Sequence, residues 1–466
     1  MATRPDPTTL GALRDSGHVQ RTVKEEVRHN LLLRLAAGEP TFPGILGYDE
    51  TVLPEVERAL LAGHDIVLLG ERGQGKTRLI STITGLLDAW TPVITGCEIN
   101  DHPFSPVCVR CQRLVEAEGA ATPVSWKPRS ERYGEKLATP DTSVGDLIGD
   151  VDPIKVAEGR TLGDPETVHY GLVPRTNRGV FSINELPDLA ERIQVALLNV
   201  LEERDIQVRG YTLRLPLDLL LIASANPEDY TNRGRIITPL KDRFGAEVRT
   251  HYPIDLEHEL DLIRQEAVLS WGTPVEVPAH LLEIVARWTR LVRESSQVDQ
   301  RSGVSARFAV AAAETLAASA VRRAAVTGEA EAVARVCDLP SIVPASRGKV
   351  EFEAAEEGRE LEVLAHLLRK ATADAFRALL PGVDLTGLQG RFDDGGVLET
   401  GDLVPAAQLL ADLGPVPGLA AILERLGIEE ESPGQAAAAL EFALEGLHLN
   451  RRLAKDSVGH TTIYGR

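Results

Sequence analysis

The chain has 466 residues, 43% of them hydrophobic, 26% charged and only 4% aromatic, a composition that excludes disorder and leaves room for two or three folded domains. Its 50 basic and 69 acidic residues give a formal net charge of −19, which argues against nucleic acid as a partner of the whole surface, because phosphates demand a basic face; a local basic groove stays open. The opening MATRPDPTTL lacks the apolar stretch of a signal peptide, no run reaches the roughly 18 apolar residues of a membrane span, and four cysteines are too few for a disulfide framework, so a cytoplasmic chain without membrane contact is expected.

Residues 1–40 read as a polar helical segment, clearest in VKEEVRHNLLLRL. TFPGILGYDE (41–50) is a turn before the helix TVLPEVERALLAG, and HDIVLLG (64–70) is a short apolar strand, followed by a glycine-rich turn and the helix TRLISTITGLLDAW. Residues 91–175 mix strand-like pieces with Pro- and Gly-rich loops. GVFSINEL (179–186) is a second buried strand. The next helix carries Leu189, Ile193, Ala196, Leu197, Val200 and Leu201 on one face. DIQVRGYTLRLP reads as a hairpin turning near Arg209 and Gly210, and LDLLLIASANPEDY as a third buried strand. Apolar strands alternating with helices predict an α/β fold with a parallel sheet covered on both faces. Ligands of such sheets sit beyond the carboxyl ends of the strands, so the polar ends of all three strands point to one place.

From about residue 254 the pattern becomes helical, with PSIVPASRG (340–348) as a linker and a second helical region broken by the turn-rich GRFDDGGVLETGD (390–402). The expected domains are a helical segment 1–40, an α/β domain 41–253, a helical lid 254–339 and a mostly helical extension 340–466.

GERGQGKT, Gly70 to Thr77, fits G-x-x-x-x-G-K-T between a strand and a helix. Gly70, Glu71, Arg72, Gly73, Gln74 and Gly75 would wrap phosphates with backbone N–H groups, and the helix beginning near Lys76, Thr77 and Arg78 would add its positive end. Lys76 would reach the β and γ phosphates of ATP, and the Thr77 hydroxyl would ligate magnesium. Glu185, at the end of the second strand, would orient the attacking water, and Asn226, at the end of the third, would bond the water or the γ-phosphate. Read alone, Glu185 is equally a helix-capping glutamate and Asn226 a turn residue before Pro227.

GERGQGKT, RGVFSINEL, ASANPEDY and LKDRFG (240–245), in this order, resemble the AAA+ ATPases of the magnesium chelatase subunit I and MoxR group over about residues 41–330; SVGDLIGDVDPIKVAEGR and VHYGLVPRTNRG resemble the insert of the chelatase subunits. The resemblance implies a P-loop AAA+ sheet with a helical lid, a ring of identical subunits, commonly a hexamer, and a partner protein with a von Willebrand A domain. It assigns Asn226 to sensor 1, Arg243 to the arginine finger acting on the neighbouring subunit's ATP, and Arg307, in SGVSARFAV, to sensor 2. It also lets the hairpin with Arg209 and Arg214 face the ring's interior; an ordinary exposed hairpin is the alternative. The expected function is a ring ATPase that remodels or activates a partner; the alternatives are the motor subunit of a true magnesium chelatase and a nucleotide switch that barely hydrolyses. The acidic balance and the lack of a GAFTGA loop argue against a DNA-associated member.

The sequence departs from that family at Asn184, where an Asp would help hold magnesium. Asn keeps an acceptor oxygen and loses the charge, and charge-assisted hydrogen bonds are roughly twice as strong as neutral ones. Magnesium is then held more weakly, not lost, and Asn184→Asp is expected to lower the magnesium concentration needed for half-maximal ATP turnover. Finally, CEINDHPFSPVCVRC places Cys97, His102, Cys108 and Cys111 within one short stretch. The C-x-x-C pair with Cys97 and His102 would suit a structural zinc ion, against the alternative of three reduced thiols in a loop.

Overall fold

Ile66–Leu69 (β1) is buried at every residue, and its side chains divide by the two-residue period of a strand. Ile66 and Leu68 enter one core, Val67 and Leu69 the other. The same alternation holds in Gly179–Asn184 (β5), where Val180 faces one way and Phe181 and Ile183 the other, and in Leu219–Ala225 (β6), where Leu220 and Ile222 oppose Leu221 and Ala223. A sheet with two apolar faces needs helices on both.

The computed structural model describes residues 3–158, 167–202, 206–208, 211–213, 215–227, 235–300, 302–393, 395–416, 418–428, 432–458 and 461–465. The chain forms two compact units, Met1–His251 and Tyr252–Arg466. In the first, Tyr133–Leu137 (β4) and Ala246–Arg249 (β7) complete a parallel sheet of order β7-β1-β6-β5-β4. Trp90–Ile94 (β2) and Val124–Pro128 (β3) pair antiparallel outside this sheet. Between them lies the helix Val109–Glu118 (α4).

One face of the sheet carries Val23–Ala37 (α1), Val52–Leu61 (α2) and Lys76–Ile83 (α3). The other carries Glu191–Glu202 (α5), whose Ile193, Leu197 and Val200 are buried as its periodicity predicts. Helix α1 begins at a capping box between Thr22 and Glu25 and ends at the left-handed Gly38. Val23, Val27 and Leu31 enter the core under the sheet, so this part of residues 1–40 is built into the first unit. Its Glu26 forms a two-pronged ion pair with Arg132, both bonds 2.7 Å, with side chains 5% and 2% exposed. Arg132 also donates to the carbonyl of Arg178.

Among its described residues the second unit has one hydrophobic core, shared by residues from both expected regions, 254–339 and 340–466. Trp288 of Ala279–Glu294 (α7) packs on Phe308 of Ala306–Thr327 (α8), and its indole N–H donates to the carbonyl of Leu364 in Glu360–Leu379 (α9). The stretch 340–348, read above as a linker, is helical over Ile342–Ser346 and buries Ile342 and Val343. Pro433–Leu449 (α10) is buried almost throughout, and its Glu441 is paired with the buried Arg335. Leu398–Gly401 (β8), Ala454–Val458 (β9) and Thr461–Gly465 (β10) form a small antiparallel sheet of order β8-β10-β9. Among the described residues no helix is long and apolar enough to cross a membrane.

Removing one partner of a buried ion pair strands the other charge, at a cost of about 3–5 kcal/mol. Glu26→Ala is therefore expected to lower the stability of the first unit by about that amount, measured as the shift of its transition in equilibrium urea denaturation. A loss below about 1 kcal/mol, the range of surface pairs, would show that the pair does not anchor α1.

Candidate functional site

The loop between β1 and α3 turns through Gly73 and Gly75, both left-handed with φ near 74° and 75°. At Gly70 the demand is space: a Cβ there would lie 1.9 Å from the Thr250 hydroxyl oxygen and 2.2 Å from Gln74 Oε1. The loop is braced from behind. The Tyr48 hydroxyl lies 2.6 Å from the carbonyl of Gln74 and 2.9 Å from that of His251, and the Thr250 hydroxyl donates to Gln74 Oε1 at 2.7 Å. Burial pushes the Tyr48 phenol up to about 12, so it stays a donor at neutral pH. The backbone N–H of Gly70 donates to Ala225 at the end of β6, which ties the loop to the third strand.

Lys76 opens α3, with its side chain nearly buried. Its ammonium donates to the carbonyls of Gly70 and Glu71, the latter at 2.8 Å, and to Asn226 Oδ1 at 3.0 Å. The same amide turns its nitrogen to Glu185 and donates to Oε2 at 2.8 Å. Lys76, Asn226 and Glu185 stand just beyond β1, β6 and β5, so the polar ends of the three strands do meet. Glu185 has φ 56°, a left-handed conformation that costs a non-glycine residue about 1–3 kcal/mol and clusters at functional sites. That turn swings its carboxylate off the line of β5 toward Asn226.

Asn184, the last residue of β5, has both ends of its amide engaged. Its nitrogen donates to the carboxylate of Glu135 on the edge strand β4, and its oxygen accepts from the Ser224 hydroxyl at 3.2 Å. A carboxylate only accepts, so Glu135 fixes which way the amide points. Thr77, Arg72 and Arg78 are exposed around the loop. A cleft of about 290 Å³ opens beside it, lined in part by Gly70, Gln74, Pro227, Lys241 and Arg249.

Arg243 ends Thr238–Arg243 (α6) and pairs with Glu202 at the end of α5, both about 40% exposed. Such surface pairs are worth about 0–1 kcal/mol, so Arg243 can leave its partner at little cost. Arg307 is exposed in the first turn of α8, in the second unit. Strands Ile206–Val208 and Tyr211–Leu213 pair as the expected hairpin; Arg209, Gly210, Arg214 and the stretch 228–234 lie outside the described residues.

The cysteine stretch needs one correction. Cys97, Cys108 and Cys111 come together, and the fourth group with them is Asp101 rather than His102. The His102 ring accepts from the backbone N–H of Phe104 at Nδ1, 3.0 Å, and its Nε2 faces Nε2 of His18 at 3.3 Å. With Nδ1 accepting, Nε2 carries the proton, and burial holds the ring far below the usual imidazole range, at about 2.

Sequence reasoning missed Glu135, Asp101, Tyr48 and Thr250. Asp101 stood next to His102 inside the cysteine stretch and carried the signal of an acidic metal ligand. Tyr48, Thr250 and Glu135 carry no local motif, because their roles come from partners 26 to 203 residues away.

Residues 160–243 match the sigma-54 interaction domain family. The chain is 31% identical over 102 residues to the acetoin dehydrogenase operon transcriptional activator AcoR of Bacillus subtilis (strain 168), covering 22% of this chain and 16% of that protein. It is 26% identical over 242 residues to the competence protein ComM of Haemophilus influenzae, covering 48% and 40%. Among solved structures, the complex between subunits BchI and BchD of magnesium chelatase aligns at 22% identity and a TM-score of 0.37, covering 69% of this chain and 98% of that one. The chain spans 16% to 40% of the length of the curated relatives it matches. The glycine-rich loop between β1 and α3 and the parallel sheet with helices on both faces give the first unit the fold expected of a P-loop AAA+ domain.

Overpacking at Gly70 is testable without any ligand. Gly70→Ala is expected to cost about 1–3 kcal/mol, and Thr250→Ala in the same chain should return part of it by removing the nearer clash. Urea denaturation of the two single variants and the double variant checks this; additive losses would show that the two residues do not compete for space.

Proposed function

We propose that this chain is an ATPase that assembles into a ring, binds ATP with magnesium at Gly70–Thr77, and hydrolyses it to remodel a partner protein. The observation that carries the reading is the continuous hydrogen-bonded line from Lys76 through Asn226 to Glu185. Phosphoryl transfer asks mainly for positioning and charge stabilisation. Lys76 supplies the cation for the β and γ phosphates, the loop N–H groups and the start of α3 supply further positive potential, and Glu185 supplies the carboxylate that polarises water. Asn226 touches both, so it can hold the carboxylate away from water until phosphate draws Lys76 off its amide oxygen.

Arg243 is exposed and loosely paired, which suits a residue that stabilises charge on a neighbouring subunit's nucleotide. The motif resemblance, of the chelatase and MoxR kind, is what suggests a hexameric ring and a partner with a von Willebrand A domain; the same resemblance keeps open a chelatase motor acting with porphyrin-handling subunits, and assigns Arg307 to sensor 2. The sigma-54 match is confined to the stretch carrying the second and third strand ends and α6, so it supports the ATPase fold and not DNA as a partner.

Bound magnesium would neutralise phosphate charge, and Thr77 and Asn184 carry the oxygens suited to hold it. The charge absent from Asn184 stands one strand away, on Glu135, and the bond between them turns Asn184 Oδ1 toward Ser224 of β6. The acid and the amide have, in effect, been divided between β5 and β4.

Glu185→Gln is expected to retain ATP binding by calorimetry while turnover falls about 100-fold or more, in the range lost with a general base. Turnover within a few-fold of the parent would assign the water to another residue. For Asn184, contact with Glu135 changes the earlier expectation. Asn184→Asp alone sets two carboxylates against each other and raises the pKa of the pair, so it should not lower the magnesium needed for half-maximal turnover. Asn184→Asp with Glu135→Gln restores an acid–amide pair in the opposite order and should lower it. Equal magnesium dependence in the single and double variants would reject the pairing.

A further inference from the structure

The insert between β2 and β3 carries a second group of chemically active residues that the ATPase reading does not use. One ligand atom from each of Cys97, Asp101, Cys108 and Cys111 lies within 4.8 Å of all the others. A tetrahedral zinc ion with Zn–S of about 2.3 Å and Zn–O of about 2.1 Å needs ligand atoms roughly 3.5–3.8 Å apart, so the four fit after movements of an ångström or less.

The surrounding backbone is arranged for thiolates. The N–H of Asp101 points at the Cys97 sulfur, 3.3 Å, and the N–H of Cys111 at the Cys108 sulfur, 3.4 Å. Cys108 caps the N-terminus of α4, a helix of ten residues, and Cys111 lies in its first turn, where the positive end of the helix favours anionic ligands. The guanidinium of Arg110 adds a further positive group 3.8 Å from the Cys111 sulfur.

Asp101 gives an independent indication. It is 1% exposed, and Oδ2 accepts the backbone N–H groups of Val107 and Cys108 at 3.1 and 2.9 Å. Oδ1 is buried with no hydrogen-bond partner. A buried carboxylate oxygen left unpaired is costly, and for a carboxylate that stands with three cysteine sulfurs the partner that suits it is a cation. The hydrogen bonds to Oδ2 hold the carboxylate as backbone and carboxylate groups commonly hold metal ligands from behind.

We propose that Cys97, Asp101, Cys108 and Cys111 bind one zinc ion, closed to substrate, that holds the insert in shape. Three thiolates and a carboxylate favour zinc over magnesium or calcium, which take oxygen ligands. Four protein ligands leave no open position, so the site is structural. Its mechanical connection is visible. Asn100, between two of the ligands, donates to the carbonyl of Arg175 at 2.7 Å, and Asn177 donates back to Ile99 at 2.9 Å. Arg178 donates to Pro92 and Thr91 of β2. Residues 175–178 lead directly into β5, the strand that ends in Asn184 and Glu185, so the ion would fix the start of the strand whose end carries the proposed catalytic carboxylate.

Metal analysis of the full chain, purified without chelators, tests this separately from ATP turnover. One zinc per chain is expected, with a mercurial thiol reagent releasing it into a colorimetric chelator, and cobalt-substituted protein showing thiolate-to-cobalt charge-transfer absorption. These readings use the unaltered chain and do not depend on variants that fold. His102→Ala should keep the zinc, whereas Cys108→Ser and Asp101→Asn should weaken its retention against a competing chelator about tenfold or more. Zinc well below one per chain, a Cys108–Cys111 disulfide in freshly purified protein, or retention that follows His102 instead of Asp101 would overturn the assignment.

Discussion

The side-chain amide of Asn226 accepts a hydrogen bond from Lys76 and donates one to Glu185. No other side-chain type of this size carries an acceptor and a donor pointing in opposite senses. An Asp in its place would accept from Lys76 and repel Glu185; a Ser would be too short to touch both. This one group makes three separate strand ends a single site, because displacing the lysine changes what the amide offers the glutamate. The proposed coupling between phosphate contact and water activation needs no large motion, only a re-partitioning of bonds among three side chains already in contact.

The geometry of that contact is inherited from the sheet. Strand β6 lies between β1 and β5, all parallel, so their carboxyl ends emerge side by side and Asn226 is placed between Lys76 and Glu185 by strand order alone. Two local devices refine the placement. The left-handed turn at Glu185 redirects its side chain toward β6, and the tight packing of Gly70 against Thr250 and Gln74 fixes the start of the loop. Both are locally unfavourable for an ordinary residue. They persist because buried strands on either side over-determine the backbone, as is expected where strain serves a site.

What was legible in the sequence follows from the range of the interactions. The strands β1, β5 and β6 announce themselves by continuous burial, and α5 by its apolar stripe, since each reports on its own faces. The loop Gly70–Thr77 is readable because its backbone demands fall on adjacent residues. β4 was lost in the Pro- and Gly-rich stretch 91–175: as an edge strand it alternates exposed and half-buried residues without a strong apolar run. Glu135 was lost with it. Residues 340–348 looked like a linker because two prolines and a glycine dominate the composition, yet Ile342 and Val343 supply enough apolar surface to fold the stretch into the core. In the cysteine stretch the spacing picked out three sulfurs that the fold does bring together, but the group beside them is Asp101, whereas the His102 ring faces His18, far away in the sequence.

The substitution at Asn184 shows how far a parallel register can redistribute a charge. Leu137 on β4 lies opposite Asn184, and Glu135 lies opposite Ser182, two residues back. Side chains two apart on one strand share a face, so Glu135 projects on the face where Ser182 and Asn184 also project, and a Glu is long enough to reach the amide. The carboxylate thereby sits on the outer side of β5 and the amide oxygen on the inner side, toward β6 and the phosphate loop. An amide oxygen polarised by a carboxylate behind it is a poorer acceptor for a cation than a carboxylate in direct view, because the charge acts from farther away and partly through solvent at the sheet's edge. The arrangement keeps the direction of the electrostatic field at the end of β5 while lowering its strength. Under the proposed ATPase reading, that trade implies slower turnover with the same geometry, consistent with a Lys76–Asn226–Glu185 line standing beside a residue that departs from the expected pattern.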